Sequence, residues 1–116
     1  MYYNVRYARA NITVVEGDTL DMTFDVEMNN EPYDMTGMQL DMHIREEETG
    51  TLVRALSTTG LTPELTISTS SFIIESGAAF TDEAIYDFDV QVTDGASIFT
   101  IMMGKLYVVK EITIPY

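Results

Sequence analysis

The chain lacks cysteine and tryptophan, and among its 116 residues only one is histidine and six are Lys or Arg. The absence of cysteine excludes a disulfide framework and thiol chemistry. Nineteen Asp and Glu residues outweigh the cations and give a formal net charge of -13. Each contact with a nucleic-acid phosphate needs a Lys or Arg, so this charge argues against a nucleic-acid partner.

Long apolar runs are also lacking. A transmembrane helix needs about 20 apolar residues, and the longest apolar stretch here, residues 98–103, falls far short, so no membrane partner is predicted. Residues 1–10 have no apolar core of the kind that a secretory signal needs. We therefore expect the protein to remain in the cytoplasm of the cell that makes it. A chain of this length can bury one core without covalent staples, which predicts a single domain.

Alternation of apolar and polar residues is what the chain has instead. It is nearly perfect in residues 20–29, 38–45 and 84–93, where every second residue is apolar and many of the others are acidic. Successive side chains of a strand point to opposite faces, so a period of two indicates half-buried strands. The polar half of the pattern predicts an acidic outer surface.

Turn residues divide the chain into short strands. They predict a long strand at Thr19–Asn29, two hairpins within residues 38–56 and 65–75, and a break between strands at Gly104. Asp94-Gly95 is the strongest hairpin signal. We predict an all-β, immunoglobulin-like antiparallel β-sandwich of about eight or nine strands at residues 11–116, after an N-terminal arm or first strand at residues 1–10.

The segment that opens the third alternating strand refines this class. Asp82, Ala84 and Tyr86 follow one another at steps of two. This spacing resembles the tyrosine corner of immunoglobulin-like sandwiches, in which the Tyr hydroxyl bonds back to the upstream loop. The alternative is that Tyr86 is an ordinary core aromatic residue whose hydroxyl reaches the rim.

No residue pattern predicts catalysis or a cofactor. His43, the only imidazole, lies on the polar side of its strand between Asp41 and Arg45, which favours a solvated side chain. No serine has the sequence context of a nucleophile. Asp87 and Asp89 share one strand face and could attract Ca²⁺, but a flat strand rarely gathers enough oxygen ligands, so we predict a solvated acidic face and no metal site.

The first ten residues invert the charge of the rest. They carry +2 and three tyrosines. Arginine and tyrosine are enriched in protein interfaces, which predicts that the arm binds a neighbouring subunit through Tyr2, Tyr3, Arg6, Tyr7 and Arg9. The alternative is that Tyr3, Val5 and Tyr7 belong to a first strand folded back on its own domain.

The order of several short motifs carries a family resemblance. They are Val15-Glu-Gly-Asp-Thr-Leu, Glu31-Pro-Tyr-Asp-Met-Thr-Gly, Met42-His-Ile-Arg, Ala84-Ile-Tyr-Asp-Phe-Asp-Val-Gln-Val-Thr-Asp-Gly and Gly104-Lys-Leu-Tyr-Val-Val. Together they resemble the immunoglobulin-like domains at the start of bacteriophage baseplate upper proteins and fibre-anchoring proteins. The resemblance covers residues 12–115, mostly through turns and core positions.

This resemblance implies a non-enzymatic structural protein of the phage particle that anchors or decorates the tail, baseplate or capsid. It implies other virion proteins and further copies of the chain as partners, and a place in the virion after synthesis in the bacterial cytoplasm. No stalk follows the last predicted strand, which favours a small accessory or decoration subunit. The alternative is a carbohydrate-binding module for a bacterial surface glycan, with Tyr33, Tyr107 and Tyr116 as candidate platforms.

Overall fold

The computed structural model describes residues 8–110, and all the regular secondary structure in that range is β-strand. The strands are β1 Ala8–Val15, β2 Asp21–Asp25, β3 Glu27–Met28, β4 Glu31–Pro32, β5 Gln39–Glu46, β6 Leu52–Ser57, β7 Leu65–Ser68, β8 Ser71–Glu75, β9 Ala84–Asp94 and β10 Ser97–Val109. The predicted all-β class is confirmed, with ten strands in the described part of the chain.

The strands form a sandwich of two sheets with a small ribbon. The larger sheet has the order β1-β10-β9-β5-β6, the smaller one has the order β2-β8-β7, and β3 pairs with β4. The order β10-β9-β5-β6 corresponds to strands G-F-C-C′ of immunoglobulin-like sandwiches and β2-β8-β7 to strands B-E-D, with β1 added beside β10. The antiparallel prediction needs one correction, because β1 runs parallel to β10.

The alternation of apolar and polar residues in the sequence corresponds to the buried and the solvent-facing sides of the larger sheet. Along β9, Tyr86, Phe88, Val90 and Val92 are buried, and the residues between them are partly exposed. Their partners in the core come from β5 and, across the sandwich, from β8. Each such apolar side chain stabilises the fold by about 1.5–3 kcal/mol when it is fully buried, so this alternation is the main source of stability.

The strand predicted at Thr19–Asn29 is interrupted at Val26. Its N–H donates to the carbonyl of Ser70 at 2.7 Å, and its own carbonyl accepts the N–H of Tyr33 at 2.9 Å. Asn29 and Asn30 then have φ values of 56° and 64°, so they form the two-residue type I′ turn of the β3–β4 hairpin. The break marks a change of partner, because the Val26 N–H continues the register of β2 with β8 while its carbonyl accepts from Tyr33, beyond the β3–β4 hairpin.

Gly104 does not break a strand, contrary to the prediction. It lies inside β10, which is continuous from Ser97 to Val109. A Cβ at this position would overlap the carbonyl oxygen of Ala10 and lie 2.7 Å from its carbonyl carbon. The glycine is therefore required by the close approach of β1, and the irregularity in β10 is instead a register shift between Thr100 and Met102.

The hairpin predicted at Asp94-Gly95 is confirmed, with its turn one residue later. Asp94 pairs with Ser97, so the central residues are Gly95 and Ala96. Gly95 has a φ of 59° whereas Ala96 has no positive φ, the pattern of a type II′ turn. The β5–β6 and β7–β8 hairpins are also confirmed.

Two side chains fix the backbone next to the strands. The Oγ of Ser76, a buried residue, accepts the N–H of Leu20 at 2.7 Å, while the N–H of Ser76 donates to the Leu20 carbonyl at 2.9 Å. Asp34 accepts the N–H of Thr36 at 2.9 Å. The side-chain and backbone hydrogen bonds from Thr36 lower the pKa of the Asp34 carboxyl.

Candidate interaction surfaces

Charged side chains cross the outer face of the larger sheet in two adjacent rows of paired residues. The first row is Asn11, Lys105, Asp87 and Arg45, on β1, β10, β9 and β5, and the second is Arg9, Met103, Asp89 and His43 on the same strands. Asp87 is thus flanked by the cations Lys105 and Arg45, whereas Asp89 lies between Met103 and His43. Asn11 and Arg9 join these rows because β1 adds to β10 in parallel register.

Lys105 links the two central strands of this face. Its Nζ donates to Oδ1 of Asp87 at 2.7 Å and to Oε2 of Glu47 at 2.9 Å. These two hydrogen bonds, with Asp87 the stronger influence, raise the pKa of the Lys105 ammonium. All three side chains are 40–48% exposed, so salt screens the pairs and they orient the face more than they stabilise the fold.

These residues line a shallow groove of about 580 Å³, which we call the charged groove: Arg9, Ala10, Asn11, Arg45, Asp87, Phe88, Asp89, Met103, Gly104 and Lys105. Three of the six Lys and Arg residues of the chain thus meet in one place on a protein of net charge -13. A fixed pattern of positive and negative side chains suits the recognition of a protein surface with the complementary charge pattern.

The predicted site residues divide between the described part of the chain and its ends. Arg9 lies in the charged groove. The other four residues assigned to partner binding, Tyr2, Tyr3, Arg6 and Tyr7, lie outside the described residues. His43 faces outward beside Asp89, as the sequence pattern predicted. Among residues 8–110, no group of three or more His, Asp or Glu side chains is placed to hold a metal ion.

An apolar slot of about 160 Å³ opens at one side of the sandwich, where β1 and β2 face each other without pairing. It is lined by Ala8, Ala10, Phe24, Asp25, Val26, Glu27, Met28, Phe72, Ile101 and Met102. The rings of Phe24 and Phe72 stack at its base, with centroids 5.4 Å apart. The sequence did not predict this slot. The alternation identifies several of its lining side chains as apolar, but it does not show which strands lie side by side.

Tyr86 lies at the acidic end of the larger sheet. Its side chain is 9% exposed, and burial together with the carboxylates of Asp82 and Glu46 raises the pKa of its hydroxyl. Within the described residues, however, that hydroxyl makes no hydrogen bond, so the bond of a tyrosine corner is not formed there. The geometry fits the alternative, a core aromatic residue whose hydroxyl reaches the rim.

Tyr33 and Tyr107, two of the three tyrosines considered as a glycan platform, do not share a surface. The ring of Tyr33 packs edge-on against Phe99 with centroids 6.1 Å apart, and its hydroxyl bonds to Sδ of Met38. Tyr107 lies on the outer face of β10, eight residues beyond Phe99 and hence roughly 26 Å along the strand. Tyr116 lies outside the described residues.

A comparison with the models of known protein families and with curated proteins finds no match to this chain. In the portion that the structure describes, no helix is long and apolar enough to cross a membrane.

Proposed function

We propose that the chain is a non-enzymatic structural module of a bacteriophage particle, which anchors or decorates the tail, baseplate or capsid. The observation that carries this proposal is the charged groove, where Arg9, Arg45 and Lys105 alternate with Asp87 and Asp89 on a rigid sheet face. The order of motifs along the sequence supports the assignment to a phage particle.

The electrostatics favour docking at this face. A net charge of -13 disfavours non-specific association of copies before assembly. At the groove, by contrast, cations and anions alternate, so a partner of complementary pattern meets attraction there and repulsion elsewhere. Charge complementarity of this kind sets the specificity and orientation of protein pairs more than their affinity.

Exposed apolar side chains give the module further contact points. Leu61, at a loop tip, is fully exposed at 104%, and Leu52 and Val53 on the edge strand β6 are about half exposed. Unpaired strand edges can add a strand from a neighbour. A glycan-binding role has less support, because Tyr33 and Tyr107 do not form one platform.

Mass spectrometry of purified phage particles tests the proposal directly, and the protein should be present at a fixed copy number. Reversing one groove charge with Arg45→Glu should lower incorporation into particles at least tenfold. The matched control is Lys110→Glu, which makes the same charge change outside the groove and should incorporate normally. Absence of the wild-type protein from particles would contradict the proposal.

A further inference from the structure

The apolar slot has the size of a binding site for one aromatic ring. Its volume is about 160 Å³, and a cavity of about 150 Å³ with apolar walls is known to accept benzene. It lies between edges of β1 and β2 that pair with no other strand among residues 8–110, so it is open from the side of the sandwich. An occupant can therefore enter without opening either sheet.

The rim of the slot is acidic. Asp25 and Glu27 lie beside its mouth, and both are exposed. A favourable occupant therefore carries an aromatic ring together with a positive charge. Residues 1–7 of this chain, Met-Tyr-Tyr-Asn-Val-Arg-Tyr, contain three tyrosines, one arginine and no acidic residue. Their composition complements both the walls and the rim.

The direction of the strands indicates whether the slot receives residues 1–7 of the same molecule or of a second copy. After β1 the chain turns back at residues 16–20, so the end of β2 and the start of β3 come beside Ala8 at the slot. The slot lies against the first residues of β1, so a segment that precedes Ala8 can enter the slot of its own molecule only by reversing direction. Asn4 is the single turn-favouring residue among residues 1–7, whereas the reversal between β3 and β4 uses two, Asn29 and Asn30.

We propose that the slot binds residues 1–7 of a second copy of this chain, with a tyrosine ring against Phe24 and Met28 and Arg6 beside Asp25 and Glu27. The contact is head-to-tail, because the arm and the slot are different surfaces. Such contacts generate closed rings or open filaments according to the rotation between copies. This inference deepens the proposed function and rests on it only for its biological meaning.

The experiment uses two full-length single-cysteine variants, since the natural chain has no cysteine. Val5→Cys places a thiol between the arm tyrosines, and Met28→Cys places one in the slot. When the purified variants are mixed and mildly oxidised, we expect the mixed Val5→Cys and Met28→Cys disulfide, identified by peptide mass mapping. Docking presents the thiol at a millimolar effective concentration, so at tens of micromolar protein the mixed disulfide should form at least about tenfold faster than by random collision.

The matched control pairs Val5→Cys with Thr66→Cys, an exposed position on β7 away from the slot. Equal rates for the two pairs would overturn the proposal. A double variant that carries both Val5→Cys and Met28→Cys should form disulfides between chains, and an intrachain disulfide in a monomer would overturn it too. Adding Arg6→Glu to the Val5→Cys chain should slow the mixed disulfide. The particle assay is independent, so a failed cross-link and a failed virion assignment give different results.

Discussion

Substitution of Gly104 by alanine should weaken the fold severely through a single methyl group. The added Cβ would overlap the carbonyl oxygen of Ala10, which is backbone and cannot move aside by a change of rotamer. The only relief is separation of β1 from β10 around their paired residues Ala10 and Gly104. That separation uncovers Ile12 and Val14, which are 2% and 6% exposed in the folded chain.

The magnitude follows from those two side chains. Burial of an Ile or Val contributes about 1.5–3 kcal/mol, so loss of both lowers the free energy of unfolding by about 3–6 kcal/mol. Domains of this size have total stabilities of about 5–15 kcal/mol, so the variant should be marginally folded. With a denaturant slope of about 1.5 kcal/mol per M of urea, a loss of 3 kcal/mol moves the unfolding midpoint down by about 2 M.

Urea unfolding followed by circular dichroism measures this change. Gly77→Ala is the matched control, because a Cβ there makes only ordinary contacts with the Glu64 carboxylate, 3.6 Å from Oε2 and 3.9 Å from Cδ. The control should lie within about 1 kcal/mol of the natural protein, since Gly→Ala at a compatible position mainly restricts the unfolded chain. If Gly104→Ala unfolds at the same urea concentration as Gly77→Ala, the close approach of β1 is not rigid and the reasoning fails.

Three further outcomes are expected. Ser76→Ala should lower the free energy of unfolding by about 1–3 kcal/mol and speed amide exchange at Leu20, whose buried N–H loses its side-chain acceptor; unchanged exchange would refute this. The folded-state pKa of Asp34 is lowered, so its contribution is present above the unfolded pKa and lost as pH falls through the folded one. The difference in melting temperature between the natural protein and Asp34→Ala should therefore be largest near neutral pH and shrink in acid, and a constant difference would contradict the assignment. The pKa of Tyr86 should exceed the usual value in an ultraviolet titration and fall when Asp82 is changed to Asn; no response to that change would show that the carboxylate is too distant.

Local patterns in the sequence predict most of the strands, because the alternation of apolar and polar residues within a strand shows which of its sides is buried. The alternation in residues 84–93 identifies the buried face of β9 residue by residue, and the hairpin at Gly95 follows from one glycine. These features depend on residues that are close together in the sequence, so the sequence alone is sufficient to predict them.

Features that depend on distant residues escape such reasoning. Val26 is locally a strand residue, and the strand is interrupted because the N–H of Val26 pairs with Ser70 while its carbonyl pairs with Tyr33. Gly104 has the sequence signature of a turn, and only the approach of Ala10, far away in the chain, gives it another purpose. The charged groove combines Arg9 and Lys105 through the parallel pairing of β1 with β10, which the antiparallel prediction did not include.

The parallel pairing of the first and last described strands also has a mechanical consequence. Ala8 to Val15 run beside Met102 to Val109 in the same direction, so the described chain enters beside Met102 and leaves beyond Val109. Tension that pulls residues 8 and 110 apart slides β1 along β10 and loads all the hydrogen bonds between them at once. If the two strands were instead pulled apart from one end, their hydrogen bonds would break one after another. The parallel pairing of β1 with β10 should therefore resist stretching along the strands.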